Sequence, residues 1–281
     1  MTMTKTILLP FNNTQPTAAA LDAACLLAGN DGYIECVFCR QVLPIIAGEG
    51  ITLPGDYLAE FEEEGRQQAE AARDVFGSLL AERSIPEGSV TGSGLRAGWT
   101  EMVGSGPEGI GEYARLFDLS IISRVPGDLS VDWKTTAEAV LFDSGRPLLL
   151  VGNEIPSRIG CRIVVAWNGS TETSRTLTAG AALLQGSEEV RVLTVRGATV
   201  SGPDGEQLTQ HLKASGITAE AKMIERGGHG IGEAILQEAE QFQADLIIKG
   251  AYTQSRLRQL VFGGATSELI NQASQPMLMS H

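Results

Sequence analysis

The chain repeats the same succession of short apolar runs and longer helical patterns in its two halves, and this repeat constrains the fold more than any other feature. Apolar runs bounded by turn residues are typical of buried strands, whereas longer periodic segments are typical of helices. Strands that alternate with helices form right-handed crossovers, so each half is predicted to be a five-stranded parallel sheet with helices on both faces. The predicted strands are KTILLPF, GYIECVF, GSVTGSG, FDLSIIS and RPLLLVG in the first half, and RIVVAWN, EVRVLTV, TAEAKMI, ADLIIKG and PMLMSH in the second. The predicted helices lie near residues 14–29, 57–83, 106–117 and 133–144, and near 172–186, 204–215, 229–242 and 264–275.

Two pairs of these runs match between the halves. ILLPFNNT aligns with IVVAWNGS, and FDLSIIS aligns with ADLIIKG. We therefore interpret the chain as a tandem duplication of one α/β domain. Gly152, Pro156 and Gly160 punctuate the join between the halves, which predicts domains at residues 1–155 and 156–281.

The overall charge argues against large polyanionic partners. The net charge is −13 and the isoelectric point is near 4.7. The field of such a chain repels nucleic-acid backbones and anionic lipid. No apolar run approaches the roughly 18 residues that a membrane span needs, and the amino-terminal stretch lacks a charged leader before an apolar core. The sequence thus predicts a cytoplasmic protein with neither nucleic-acid nor membrane partners.

Patterns for metal binding or covalent catalysis are weak. Cys36 and Cys39 form a C-x-x-C pair inside an apolar, strand-like run, where residues three apart face opposite sides, so we expect structural, reduced cysteines. His229 and the two other histidines are not spaced with carboxylates or cysteines as metal ligands are. The chain also lacks the P-loop pattern and the nucleophile-elbow pattern. We therefore predict no catalytic residues and no metal site.

Ligands of parallel sheets collect beyond the carboxyl ends of strands, so the loops after the first and fourth strands of the second half are candidates for a site. The first of these loops begins at Asn168, and the second follows Lys249 and Gly250. The second loop leads into a glycine-rich helix start, and no acidic residue occurs between Lys249 and Glu268. A helix start of this kind stabilises an anion, although solvated cations beside glycines that merely punctuate the helix explain the same pattern. The candidate residues of this loop and helix start are Arg256, Arg258, Gly263, Gly264, Ala265 and Thr266.

These residues resemble the nucleotide loop of the universal stress protein family. Nucleotide-binding members of that family follow the fourth strand with G-x-x-G, nine residues and G-[S/T]. Gly250 and Gly263 keep this spacing, whereas Thr253 replaces the second glycine and Gly264 replaces the serine or threonine. Thr253 adds a side chain where the backbone approaches the ligand, and Thr266 offers a hydroxyl two positions after Gly264. The loop is compatible with phosphate without matching the full signature.

The resemblance implies an adenine nucleotide α-hydrolase-like fold and an adenine nucleotide ligand. It implies ATP, ADP or AMP in the second half, with any Mg²⁺ held by the phosphates. Ala166, Trp167 and Val195 would line the base pocket, and Asn168 stands where the family usually has aspartate. Trp167 is equally interpreted as a core aromatic residue at the end of a strand.

The first half has lost the corresponding loop. Ser123 replaces the first glycine, and Asp128 and Asp132 stand where phosphates would lie. By the resemblance, this half is a degenerate partner that completes an intramolecular pseudo-dimer, and the sequence is compatible with further pairing into a homodimer. Three functions follow: a nucleotide-responsive stress protein, a scaffold that does not bind nucleotide, or a slow ATP hydrolase.

Overall fold

The computed structural model describes residues 6–11, 18–42, 55–124, 133–228, 230–251 and 265–281. The strands are β1 (Thr6–Phe11), β2 (Tyr33–Arg40), β3 (Arg96–Val103), β4 (Leu119–Ser123), β5 (Leu148–Val151), β6 (Arg162–Ala166), β7 (Glu189–Val195), β8 (Ala219–Ile224), β9 (Leu246–Gly250) and β10 (Met277–Ser280). The α-helices are α1 (Ala18–Ala28), α2 (Gly55–Arg83), α3 (Gly106–Tyr113), α4 (Trp133–Asp143), α5 (Thr171–Ala179), α6 (Ala181–Gly186), α7 (Gly205–Ala214), α8 (Ile231–Gln241) and α9 (Ala265–Gln272). None of the helices described is both long and apolar enough to cross a bilayer.

The strands form one ten-stranded sheet in the order β3-β2-β1-β4-β5-β10-β9-β6-β7-β8. All pairs within each half are parallel. The two half-sheets meet where β10 pairs antiparallel with β5, with Leu278 opposite Leu149. The predicted α/β fold with parallel sheets and helices on both faces is confirmed.

The predicted third strand of the first half was placed wrongly. Residues 88–94 form turns and bends, and the strand lies at β3 instead. The run 88–94 contains one large apolar residue, Val90, which is 54% exposed, and Gly94 has a φ of +76° that does not suit an extended strand. In β3, by contrast, Ala97 is fully buried and the strand pairs with β2 along its whole length.

The core has two layers, one on each face of the sheet. We call the face that carries Ile163 and Val165 face A; it is covered by α1, α2, α5, α6 and α7. The opposite face, face B, carries Val164 and Ala166 and is covered by α3, α4, α8 and α9. Successive strand residues alternate between the faces, and both faces are covered, so the central strands read as continuous apolar runs. This two-sided burial explains why the apolar runs located the central strands correctly.

The cysteine pair follows this alternation. Cys36 is buried in the core of face A, whereas Cys39 packs against the core of face B, so the prediction that the two sulfurs face opposite sides is confirmed. All four cysteines are free thiols. Burial raises the pKa of Cys36 well above the ordinary value and that of Cys39 to about 11, which keeps both thiols protonated and unreactive at neutral pH.

Candidate functional site

In the second half-sheet, the order in which the chain adds strands changes direction between β6 and β9. After β6 the chain continues to β7 and β8 on one side, whereas β9 and β10 lie on the other side. A reversal of this kind opens a crevice at the carboxyl ends of the two strands, because their crossovers leave on opposite faces. Val165 lies opposite Ile248 in the register, so Ala166 and Gly250 end their strands at the same edge. The loops after β6 and β9 therefore border one crevice.

Thr173, near the start of α5, connects these two loops. Its hydroxyl donates to Asn168 Oδ1 over 2.9 Å and accepts the backbone N–H of Gly250 at 3.3 Å. Asn168 Oδ1 also accepts the backbone N–H of Ser170 at 3.1 Å. The side-chain oxygen of Asn168 thus shapes its own loop and fixes that loop to the end of β9.

Ser170 begins α5 as its N-cap. Its hydroxyl accepts the backbone N–H of Thr173 at 3.2 Å, which satisfies one of the unpaired N–H groups of the first turn. Sequence reasoning passed over Thr173, although the pattern Ser-Thr-Glu-Thr, which begins four residues after the end of β6, was a usable signal for a capped helix start. What the sequence did not contain was the proximity of this turn to Gly250.

Gly250 packs directly against the first turn of α5. A Cβ at this position would lie 2.4 Å from the backbone nitrogen of Thr173 and 2.7 Å from the carbonyl carbon of Glu172. These neighbours are backbone atoms that cannot rotate away. The glycine predicted from the loop spacing is therefore also needed for packing, whether or not a ligand is bound.

We expect Thr173→Val to lower the free energy of unfolding by about 1–2 kcal/mol, because it removes the buried hydroxyl that bonds both Asn168 Oδ1 and the Gly250 N–H. Thr178→Val is the matched control, since Thr178 is exposed and its hydroxyl only bonds back to Ser174 in the same helix. We expect this control to stay within about 0.5 kcal/mol of the wild type. Urea denaturation measures both. Equal effects of the two changes would show that Thr173 does not join the loops.

Trp167 points away from the other predicted base-pocket residues. It lies in the core of face A, 6% exposed, and its indole Nε1–H donates to the carbonyl of Pro203 over 2.9 Å. Ala166 and Val195 lie in the core of face B. The structure therefore brings Ala166 and Val195 to one side of the sheet and places the Trp167 side chain on the other.

Lys249 joins Ala166 and Val195 on face B. Strand alternation places its side chain on the same side as Ile247 and Ala251, which belong to the core of that face. Lys249 is 9% exposed, and its ammonium group donates to the carbonyl of Gly250 over 2.9 Å. Burial lowers the pKa of this lysine from 10.5 to about 8. The wall that contains Ala166 and Val195 thus includes a buried, weakly basic amine.

Much of the predicted phosphate loop lies outside the described residues. This applies to Thr253, Arg256, Arg258, Gly263 and Gly264, and also to His229. Helix α9 begins at Ala265, as the predicted helix start requires, but the side chains of Ala265 and Thr266 are not described. The role of these residues stays a prediction. Among the residues that are described, no three His, Cys, Asp or Glu side chains are grouped as a metal site would need.

Comparison with known proteins relates this geometry to one family. Residues 161–281 match the sequence model of the universal stress protein family. The whole chain is similar in fold to a universal stress protein from Archaeoglobus fulgidus DSM 4304, with a TM-score of 0.72 and 15% identity over 98% of this chain and 95% of that one. A putative universal stress protein from Pseudomonas aeruginosa UCBPP-PA14 gives a TM-score of 0.53 and 14% identity over 99% and 93% of the chains. No match was found among curated proteins.

Proposed function

We propose that the protein binds an adenine nucleotide in its second half, because residues 161–281 match the universal stress protein model and the whole chain is similar in fold to such a protein. The family of this domain supports a role in the stress response. We propose that the protein acts in the cytoplasm, and that nucleotide binding changes its conformation or its partners rather than leading to turnover.

The main support for nucleotide binding is that the loops after β6 and β9 meet at the point where the strand order changes direction. Thr173 fixes the Asn168 loop to the end of β9, so the two walls of the crevice have a set separation. Ala166 and Val195 are small apolar side chains in the core of face B, and in the proposed complex they form the floor on which the base lies. A site with preset walls binds with less loss of conformational entropy than one that must order its loops.

The chain also supplies positive charge where the phosphates would lie. Lys249 lies one residue before the end of β9, and Arg256 and Arg258 follow it in the sequence. In the proposed complex, the glycines before α9 allow phosphate oxygens to approach the backbone at the helix start. Mg²⁺, when present, would be held by the phosphates.

We propose that the first half acts as a fixed partner of the second. The antiparallel pairing of β5 with β10 gives the two halves one continuous sheet. Strand β9 is hydrogen-bonded to β10, and β10 is hydrogen-bonded to β5. A conformational change that a nucleotide causes at the end of β9 can therefore be transmitted to the first half through one intervening strand. A homodimer of the whole chain is compatible with this arrangement.

Calorimetric titration of ATP, ADP and AMP into the full chain tests the proposal. We expect saturable binding of at least one nucleotide, and a loss of at least about tenfold in affinity for both Gly263→Val and Arg256→Ala. In the proposed complex, Gly263→Val adds a side chain where a phosphate would approach the backbone, and Arg256→Ala removes a positive charge. Gly186→Ala is the control, since no atom lies within 4 Å of a Cβ at that position. Absence of heat at millimolar concentrations of all three nucleotides, or equal affinity in all variants, would refute nucleotide binding.

A further inference from the structure

The first half places an arginine where the second half has an alanine. The backbone N–H of Arg124 donates to Val151 over 2.8 Å, and that of Ala251 donates to Ser280 over 2.9 Å. These bonds are equivalent, because Val151 ends β5 and Ser280 ends β10. Arg124 therefore occupies the position of Ala251, which directly follows Gly250, the first glycine of the predicted phosphate loop in the other half.

The guanidinium of Arg124 is buried without full hydrogen bonding. Arg124 is 2% exposed, and its Nη2 donates to the carbonyl of Gln275 over 2.9 Å. Within the part of the chain that the structure describes, its Nε and Nη1 have no hydrogen-bond partner. Burial lowers the pKa of this arginine to about 10, which still leaves it charged at neutral pH. A buried charge with unused donors is costly unless an anion compensates it.

The surroundings of Arg124 suit a small anion. Gln275 precedes β10, so the guanidinium lies at the seam between the two halves. Gly152 presents no side chain there; an added Cβ would be in van der Waals contact with the carbonyl oxygen of Ser274 at 3.5 Å and with Nη2 at 3.9 Å. Helix α4 follows β4 and runs back along the sheet, so its amino end lies at the same edge, where a helix favours negative charge.

We infer that Arg124 is the centre of a second anion site, which lies in the first half and takes a small oxyanion of the phosphate type. The free N–H groups of a guanidinium match the oxygens of such an anion in geometry and charge. This site is separate from the proposed nucleotide site and does not depend on it. On this account, the first half binds an anion with a buried arginine, whereas the second half uses a glycine-rich loop.

Titration of inorganic phosphate into the full chain at pH 7, against chloride of equal ionic strength, tests the inference. The ¹H–¹⁵N signal of Arg124 Nε, assigned by its absence in Arg124→Lys, is expected to shift in a saturable manner. Phosphate is also expected to raise the midpoint of thermal unfolding. In Arg124→Met, phosphate affinity is expected to fall at least about tenfold, whereas Arg146→Met, an exposed arginine of the same half, keeps it.

Two outcomes would overturn the inference. If phosphate leaves the Arg124 Nε signal unmoved, and Asp128→Asn or Asp132→Asn shifts it instead, a carboxylate of the chain itself compensates the charge. If Gly263→Val abolishes the phosphate effect, the anion binds in the second half. Retention of the effect in Gly263→Val supports the Arg124 site, even where the same variant shows no nucleotide binding. The wild-type signal decides the matter if Arg124→Met does not fold.

Discussion

Replacement of Lys249 by methionine is expected to stabilise the protein at pH 7 and to weaken its binding of nucleotide. The stabilisation is expected because the fold buries the lysine ammonium, and this burial lowers its pKa from 10.5 to about 8. One pKa unit corresponds to about 1.4 kcal/mol, and the lost bond to the Gly250 carbonyl offsets part of the gain. We expect a net increase of about 2 kcal/mol in the free energy of unfolding.

The pH dependence of this difference identifies its cause. Below pH 8 the lysine is charged in both the folded and the unfolded chain, so the wild type bears the full cost of burial. Between pH 8 and pH 10.5 the unfolded chain binds more protons than the folded one, so wild-type stability rises with pH. The advantage of Lys249→Met is therefore full below pH 8 and disappears near pH 10.5. Urea denaturation across this range measures it.

Lys213→Met is the matched control, because Lys213 is exposed near the end of α7. It is expected to change stability by less than about 0.5 kcal/mol at every pH. A Lys249→Met variant that is destabilised equally at pH 7 and pH 10.5 would contradict the conclusion that Lys249 is buried with a lowered pKa. Nucleotide affinity of the wild type is expected to fall as pH rises above 8, whereas the affinity of Lys249→Met, already weaker, is expected to lack this change.

Replacement of Gly250 by alanine is expected to lower the free energy of unfolding by about 3 kcal/mol and to abolish nucleotide binding. The added Cβ meets the backbone nitrogen of Thr173 at 2.4 Å, so β9 and the first turn of α5 must separate. That separation also breaks the contact through which the Thr173 hydroxyl holds the two loops. Chemical denaturation and calorimetric titration measure the two effects.

Gly77→Ala provides the control for Gly250→Ala. Gly77 lies inside α2, and no atom lies within 4 Å of a Cβ there. Alanine is the better helix former by up to about 1 kcal/mol, so this change is expected to stabilise the protein or leave it unaltered. If Gly250→Ala were as stable as the wild type and bound nucleotide equally, the close contact between β9 and α5 would be absent in solution.

The fold was predictable because burial on both sides makes each central strand a continuous apolar run. Residues 246–250 and 163–166 are examples, and both were located correctly. The prediction failed at β3, where polar and exposed residues such as Glu101 interrupt the apolar run of an edge strand. The preceding segment, with several glycines and one valine, was predicted to be a strand but does not form one.

The candidate site was only partly predictable. The place of Gly250 in the site follows from the spacing of the loop motif. Strand alternation alone is enough to predict that the side chains of Trp167 and Ala166 lie on opposite faces of the sheet. The contribution of Thr173 depends on α5 meeting the end of β9, which is a tertiary contact without a local signal. The burial of Lys249 likewise depends on the packing of α8 and α9 over face B. The charge of Lys249 was visible in the sequence, but its lowered pKa was not.

Titration of ATP into ¹⁵N-labelled full-length protein, followed residue by residue by NMR, tests nucleotide binding in the second half most directly. We predict saturable shifts of the backbone signals of Ala166, Asn168, Lys249 and Gly250, and the loss of these shifts in Gly263→Val. The absence of saturable shifts at these four residues in the presence of millimolar ATP would contradict the proposed site.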